Sequence, residues 1–284
     1  MSVLEAAPGE AAARARRTYP PGLVVAVVVL ALILLAASVP GLFSGRDPLA
    51  ADPVHRLRPP SEAHPFGTDE LGRDLFARVL HGAALSLSAA AIALVIGVLC
   101  GVALGLIAGT AGGRTDEVVM RATDVLLAIP ALLVSLAVVT ALGFGTVRTA
   151  VAVGVTGIAG FARITRAEVL RVSLAPYTEA AQVIGVRRAA VLLRHVLPNA
   201  WGPVFGYAAV QFGASLLAVS TLGFLGYGAP PPTPEWGSLV ASGRSYFAGA
   251  WWLSTLPGLV IAATVLAANR IARAVHGEDG VVPR

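Results

Sequence analysis

The chain has 284 residues, of which 56% are hydrophobic and only 13% are charged, and its mean hydropathy is +0.76. Soluble globular domains carry roughly 25% charged residues, so this composition excludes a soluble protein and predicts a polytopic membrane protein. All 21 residues in the Lys+Arg total are arginine, which excludes a P-loop lysine for ATP phosphates and a lysine Schiff base. We attribute the net charge of +5 to arginines in cytoplasmic loops, not to nucleic-acid binding.

Six apolar runs predict six transmembrane helices, because a bilayer core of about 30 Å needs about 20 residues at 1.5 Å each. The runs cover residues 22–43, 85–109, 125–142, 147–162, 203–225 and 252–268. The remaining segments are predicted to be a cytoplasmic tail at 1–21, an external loop with an amphipathic segment at 44–84, and a cytoplasmic tail at 273–284. Residues 85–272 are then a five-helix core that contains a cytoplasmic loop at 163–202.

The distribution of arginine predicts that both termini are cytoplasmic. Six spans put the two termini on the same side, and with that side inside, the cytoplasmic segments hold 14 arginines and the external segments 7. This bias agrees with the positive-inside rule. The first span follows Arg14, Arg16 and Arg17, but it is too long for a cleaved signal peptide and five spans follow it, so we expect an uncleaved anchor.

Two spans contain residues that predict how they pack. The second has glycines at every fourth position from 97 to 109, a spacing that lets another helix approach closely, and we expect this span to be buried among protein helices. In the third, Arg121 and Asp124 lie three residues apart and are expected to pair or to reach the membrane edge, with contact to a ligand as the alternative. Pro130 is expected to kink the third span.

The loop at 163–202 has the most informative pattern. Pro176 suits the first turn of a helix and Gly185 its C-terminal end. Glu179 lies near the helix N-terminus, where the macrodipole favours a carboxylate. Ala180 and Ala181 are expected to leave a surface that another protein approaches closely. The loop is therefore interpreted as a docking element and not as a catalytic one.

A second helix is predicted over residues 186–196, after which Pro198 is expected to begin an extension of the fifth span. The whole pattern is Glu179-Ala-Ala, three residues, Gly185, nine residues, and His195-Val-Leu-Pro198. It resembles the EAA signature of permease subunits of bacterial ABC importers. The general signature has isoleucine where this chain has His195, and the form Arg-His-Val-Leu-Pro-Asn is typical of the peptide and nickel branch of the family.

The resemblance implies an all-α polytopic fold, that of type I ABC importer permeases, with six transmembrane helices. It also implies that the loop forms a coupling helix that seats in a groove on an ATPase subunit. The residues that it assigns to this coupling are Tyr177, Glu179, Ala180, Ala181, Gly185, His195, Leu197 and Pro198.

Two further segments, 64–74 and 226–237, look like those of the C-type permeases of dipeptide and oligopeptide importers, and the short first external loop also favours the C-type. The resemblance covers residues 22–273. The first segment could instead be a turn and an interfacial amphipathic helix, and the second a stiff connector. The residues expected to dock an external binding protein are Pro231, Pro232, Glu235 and Trp236.

The function implied is import of di- or oligopeptides, with nickel, glutathione or a metal chelate as alternative cargo. The implied partners are a second homologous permease subunit, an extracytoplasmic binding protein and two ATPase subunits, which bind ATP and Mg²⁺, so that no cofactor or metal is expected on this chain. An ion-coupled secondary transporter would need ionisable groups near the bilayer midplane, which the spans largely lack. A membrane enzyme would need a catalytic constellation, and neither the five scattered histidines nor the single Cys100 provides one.

Overall fold

The computed structural model describes residues 21–275, and within this range the chain forms helices and no named β-strand. The helices are α1 (Pro21–Ser38), α2 (Leu75–Ala111), α3 (Gly113–Ala128), α4 (Ala131–Leu142), α5 (Thr146–Ser173), α6 (Pro176–Val183), α7 (Arg188–Val191), α8 (Leu197–Phe224), α9 (Trp236–Gly243) and α10 (Trp252–Val275). Most of the two predicted tails, residues 1–20 and 276–284, lies outside the described residues.

Five helices are long and apolar enough to cross a bilayer, namely α1, α2, α5, α8 with the turn before it, and α10. They confirm five of the six predicted spans, but several are longer than the apolar runs. The helix α2 begins at Leu75, because the Asp74 carboxylate accepts a hydrogen bond from the Ala77 N–H at 2.8 Å and caps it. The helix α5 continues to Ser173, well past the end of its apolar run.

The third predicted span is not one kinked helix but two helices, α3 and α4, which meet at an angle of 96°. Ile129 has extended backbone angles (φ −95°, ψ 133°), as expected for a residue that precedes a proline. Pro130 therefore breaks the helix completely. The 12 residues of α4 reach only about 18 Å, and α3 runs nearly at right angles to it, so the pair is either a broken span or a re-entrant segment.

Consecutive long helices run in opposite directions, so their termini lie at two ends of the bundle, which we name by their contacts. At one end, Gly22 of α1 lies beside Arg270 of α10, and Gly109 of α2 lies against Val169 of α5; because α6 follows α5 here, we call it the α6 end. At the other, the indole N–H of Trp252 donates to the carbonyl of Thr68 at 3.3 Å; we call it the far end.

The helices α2 and α5 pack at the centre of the bundle, where the glycine stripe of α2 meets the backbone of α5. A Cβ atom on Gly101 would lie 2.5 Å from Phe161 Cβ, and one on Gly105 would lie 2.5 Å from the carbonyl oxygen of Ala162. These distances are too short for any side chain, so the close helix pair predicted from the glycine spacing is confirmed.

The opposite face of α2 is exposed, so the expectation that this span is surrounded by protein is wrong for the single chain. Ile92, Val95 and Leu99 lie on that face and are exposed. The face is therefore available to lipid or to another protein chain.

Salt bridges fasten α3 to α5. The Arg163 guanidinium donates to the Asp124 carboxylate, and the Arg166 guanidinium holds the two oxygens of Asp116. Arg121 instead pairs with Glu117, one turn earlier on α3, at 2.5 Å. The predicted pairing of Arg121 and Asp124 is thus confirmed for both residues, although each has a different partner.

The segment before α2 folds around buried charges. Arg73 Nε donates to Asp69 Oδ2 at 2.6 Å, Arg78 Nε lies 3.5 Å from the same oxygen, and all three side chains are nearly buried. No helix forms between residues 56 and 74, so the alternative interpretation of segment 64–74 as an interfacial amphipathic helix does not hold. We call Asp69, Arg73, Asp74 and Arg78 the Asp69 cluster.

Replacing Gly101 by alanine is expected to destabilise the fold by about 1–3 kcal/mol, since the added Cβ overlaps α5. Gly258→Ala is the matched control, because a Cβ on this helical glycine of α10 meets nothing within 4 Å. Thermal unfolding of the detergent-purified chain measures both. Equal midpoints for the two variants would mean that the glycine stripe does not set the helix distance.

Replacing Asp69 by asparagine should destabilise the fold by about 3 kcal/mol, because Arg78 loses its nearest carboxylate and Arg73 keeps only Glu70, at 3.2 Å. The control is Glu62→Gln, which removes an exposed carboxylate of the same segment. The same unfolding assay applies, and a stability change no larger than that of the control would show that the cluster is not a stabilising unit.

Candidate functional site

The helix α6 has the boundaries that the sequence predicts. It begins at Pro176 and ends at Val183, and Gly185 follows in the left-handed region at φ +85°, where glycine is favoured. Glu179 lies in its first turn, where the positive end of the helix dipole favours a carboxylate. The loop therefore forms a short helix at the α6 end, outside the long apolar spans.

One side of α6 packs against the chain's own core. Ala181 is 7% exposed and belongs to an apolar cluster with Val169 and Val172 of α5 and with Val191 and Val196. The expectation that Ala181 forms part of an open surface is therefore wrong. Its small side chain instead lets α6 lie close to α5.

The other side of α6 faces outward. Glu179 and Ala180 are exposed, and Tyr177 is 49% exposed. Val183 and Ile184 are 86% and 80% exposed. Large apolar side chains exposed next to one another are typical of a protein–protein interface. We call these five residues the α6 surface.

Val183 and Ile184 were not identified from the sequence. The available signal was a pair of β-branched apolar residues immediately before the helix-ending Gly185. An adjacent pair of such residues beside an exposed Tyr177 forms a patch that suits a protein–protein contact.

The second half of the loop returns the chain to α8. The predicted helix over 186–196 is instead a short α7 followed by a π turn (Leu192–Val196), in which the Leu197 N–H donates to the carbonyl of Leu192. This turn joins directly onto α8, so the chain continues without a break into the fifth span.

Three predicted coupling residues lie in this second half. The ring of His195 lies 6.5 Å from the ring of Tyr177, centre to centre, which brings it next to α6. Leu197 and Pro198 occupy the first turn of α8, where Leu197 is half-buried and Pro198 is exposed.

The far end carries the second candidate site, and here the structure corrects the prediction. Pro231 and Pro232 are exposed, but Glu235 and Trp236 are 0% exposed. The indole N–H of Trp236 donates to the carbonyl of Val79 at 2.9 Å. Trp236 therefore holds the loop against α2, Glu235 bonds to Ala229 within the loop, and neither side chain is accessible to a binding protein.

The buried carboxyl of Glu235 has few hydrogen-bond partners, and burial changes its pKa. One carboxylate oxygen accepts a hydrogen bond from the backbone N–H of Ala229, and the side chain of Thr146 lies close enough to interact with the carboxyl. Burial raises the pKa of the Glu235 carboxyl above its ordinary value, although the Ala229 hydrogen bond opposes this shift.

Arg78 of the Asp69 cluster links two loops at the far end, one before α2 and the proline-rich loop at 226–235. Arg78 donates to the carbonyl of Pro48 at 3.1 Å and, more weakly, to the carbonyl of Pro232 at 3.4 Å. This link joins segments more than 150 residues apart, and sequence spacing gives no sign of it.

Comparison with known proteins identifies the family. The family described as binding-protein-dependent transport system inner membrane component matches residues 101–277. The chain is 38% identical over 249 residues to the probable D,D-dipeptide transport system permease protein DdpC of Escherichia coli, covering 88% of this chain and 84% of that protein.

Two other relatives have related names. The di/tripeptide transport system permease protein DppC of Pseudomonas aeruginosa is 42% identical over 204 residues, covering 72% of this chain and 67% of that protein. The glutathione transport system permease protein GsiD of Pectobacterium atrosepticum is 39% identical over 210 residues, covering 74% of this chain and 70% of that protein.

The fold also matches solved structures. An amino acid ABC transporter structure matches with a TM-score of 0.56 at 16% identity, covering 71% of this chain and 94% of that one. The methionine ABC transporter MetNI, in an inward-facing conformation, matches with a TM-score of 0.56 at 15% identity, covering 70% and 96%. Together with the family match, these findings establish that the chain belongs to the inner-membrane permease components of binding-protein-dependent ABC transport systems.

Proposed function

We propose that the chain is the C-type permease subunit of an ATP-driven importer of di- or oligopeptides, and that the α6 surface is the site where an ATPase subunit binds. The observation that carries this proposal is the exposure of Val183 and Ile184 on a short helix beyond the membrane spans. The peptide cargo is supported by the names of DdpC and DppC.

The remaining partners follow from the same assignment. A second, homologous permease subunit completes the pathway, and an extracytoplasmic binding protein delivers the peptide. Two ATPase subunits bind ATP and Mg²⁺, and this chain is not catalytic. Both termini and the α6 end face the cytoplasm, as the distribution of arginine supports.

Coupling proceeds through packing contacts. Force applied to α6 reaches α5 through Ala181, which is buried against Val169 and Val172. It passes from α5 to α2 through the glycine stripe, where backbone meets backbone without flexible side chains between them. A displacement of α6 therefore moves two transmembrane helices together.

The second candidate cargo is glutathione, which is favoured by the similarity to GsiD. Nickel and metal chelates share the motifs of the family but have no comparable support among these relatives. An ion-coupled secondary transporter or a membrane enzyme is disfavoured, since the family works with an external binding protein.

Glu179→Arg is expected to abolish both peptide uptake and peptide-stimulated ATP hydrolysis, because it reverses the charge in the centre of the α6 surface. Gly185→Arg should have the same effect, since it forces a bulky residue into the left-handed region. The assay is uptake of a labelled dipeptide into proteoliposomes that contain the complete transporter, with phosphate release measured in parallel. Wild-type uptake and stimulation in both variants would refute the coupling assignment.

The control for Glu179→Arg is Glu62→Arg, the same substitution at an exposed site on the far side of the bundle. It should leave ATP hydrolysis unchanged. Comparing labelled glutathione with a dipeptide in this assay identifies the cargo, because only the true substrate should stimulate hydrolysis.

The double variant Val183→Asp/Ile184→Asp is expected to prevent binding of the ATPase subunits while leaving the permease folded. Both side chains are exposed in the single chain, so aspartate costs nothing there, whereas a carboxylate buried in an interface is unfavourable. Co-purification with the ATPase measures binding, and circular dichroism measures folding. A folded double variant that retains its ATPase would show that this surface is not the interface.

A further inference from the structure

A hollow lies at the far end, between the segment before α2 and the segment that leads into α10. One wall is formed by Leu57 and the other by residues of the segment 245–250. The cavity has a volume of about 310 Å³, and Ser245, Ala248 and Gly249 on its wall are exposed. The hollow is therefore accessible from outside the bundle.

The length of α1 places this hollow outside the hydrocarbon core of the bilayer. Gly22, in the first turn of α1, lies beside Arg270 of α10. The 18 residues of α1 rise about 27 Å, which nearly equals the core thickness of about 30 Å. Because α10 runs antiparallel to α1, the end of α1 at Ser38 lies at about the level of Ser254. The residues that line the hollow precede α10, so the hollow lies beyond this level.

The wall at Leu57 is held in one conformation. Leu57 has a left-handed backbone (φ +51°), which is unfavourable for a leucine and persists only where the surrounding structure imposes it. The Leu57 N–H donates to the carbonyl of Asp69 at 3.1 Å, and the Arg58 N–H donates to Thr68 Oγ1 at 2.9 Å. The wall is therefore formed before any partner binds, which lowers the ordering cost of binding.

Two arginines without an acidic partner flank the hollow. Arg58 directly follows Leu57, Arg244 directly precedes Ser245, and both arginines are exposed. Within the described part of the chain, neither guanidinium takes part in a salt bridge. Phe247 follows on the same segment and is 59% exposed. The rim of the hollow is therefore cationic and carries an exposed aromatic ring.

We propose that an extracytoplasmic binding protein docks on this hollow through an acidic surface that carries a projecting apolar side chain. The inference rests on the proposed function, which makes the far end external and requires such a partner. Carboxylates of the partner pair with Arg58 and Arg244, because a guanidinium donates two parallel hydrogen bonds to a carboxylate. The apolar side chain of the partner packs between Leu57 and Phe247.

The position and lining of the hollow favour a protein over an acidic lipid. A lipid that binds through its headgroup keeps its acyl chains in the hydrocarbon core, and the hollow lies beyond it. The wall also includes Ser245, Tyr246 and Gly249, which offer a short, partly polar surface. The family depends on a binding protein, and two of the residues expected to dock it, Glu235 and Trp236, are buried. The hollow supplies accessible charge at the same end.

The test measures binding of the cognate binding protein to the complete transporter in nanodiscs by biolayer interferometry. Arg58→Glu/Arg244→Glu is expected to weaken binding by about tenfold or more at low salt, because it sets carboxylates opposite an acidic surface. The difference from wild type should shrink at high salt, where exposed charges are screened, which a merely structural defect would not show. The control is Arg148→Glu, the same charge reversal at another exposed arginine of the far end, and it should leave binding unchanged.

Gly249→Trp fills the hollow with both arginines in place and should also weaken binding, since a Cβ atom at Gly249 meets nothing within 4 Å and the chain has room for the side chain. Its control is Gly45→Trp, at another open glycine of the same segment end that does not line the hollow. Thermal unfolding checks that each variant is folded.

The outcomes separate the docking site from the proposed function. No binding by the wild-type transporter would overturn both. Wild-type binding that is unchanged in a folded Arg58→Glu/Arg244→Glu or Gly249→Trp variant would overturn the docking site alone. Loss of bound phosphatidylglycerol from the charge-reversed variant, with its affinity for the binding protein unchanged, would also overturn it and assign the hollow to a lipid.

Discussion

The close approach of α2 and α5 organises the molecule. Where Gly101 and Gly105 face Phe161 and Ala162, a methyl group would already overlap the neighbouring helix. In a bilayer, helices do not associate through the hydrophobic effect, since lipid is as apolar as their side chains, and close packing must replace it. The pair thus forms a rigid centre on which α3, α4 and α8 pack.

This rigid centre explains how a surface helix can act on the transmembrane region. The helix α6 touches α5 through small and β-branched side chains, which have few alternative rotamers. Salt bridges fasten α3 to the same part of α5. A protein that displaces α6 would therefore also displace α5, because the side chains between the two helices have little freedom to rearrange.

The sequence predicts those features that depend on the local backbone. The glycine spacing, Pro176 and Gly185 each restrict conformation within a few residues, and their predicted effects are found. The angle at Pro130 was not predictable, because a missing hydrogen bond permits either a kink or a break. The salt bridges of Asp116 and Asp124 on α3 with Arg166 and Arg163 on α5, which are tertiary contacts, favour the break.

Burial within the candidate sites was also beyond the sequence. Ala180 and Ala181 are adjacent, but successive helical residues point about 100° apart, and only the position of α5 decides which one faces inward. Glu235 and Trp236 lie in a loop rich in proline and glycine, which suggests exposure. The burial of Trp236 depends on Val79 and Ser86 of α2, about 150 residues earlier in the chain, and Glu235 is buried beside it.

The link through Arg78 has a consequence for how this permease family could diversify. The Arg78 guanidinium donates hydrogen bonds to the carbonyls of Pro48 and Pro232. Two loops that are distant in the sequence therefore lie side by side at the far end. Because both acceptors are backbone carbonyls, either loop can change its side chains without losing the link, provided that its carbonyl stays in place. A change at Arg78 would instead release both loops at once.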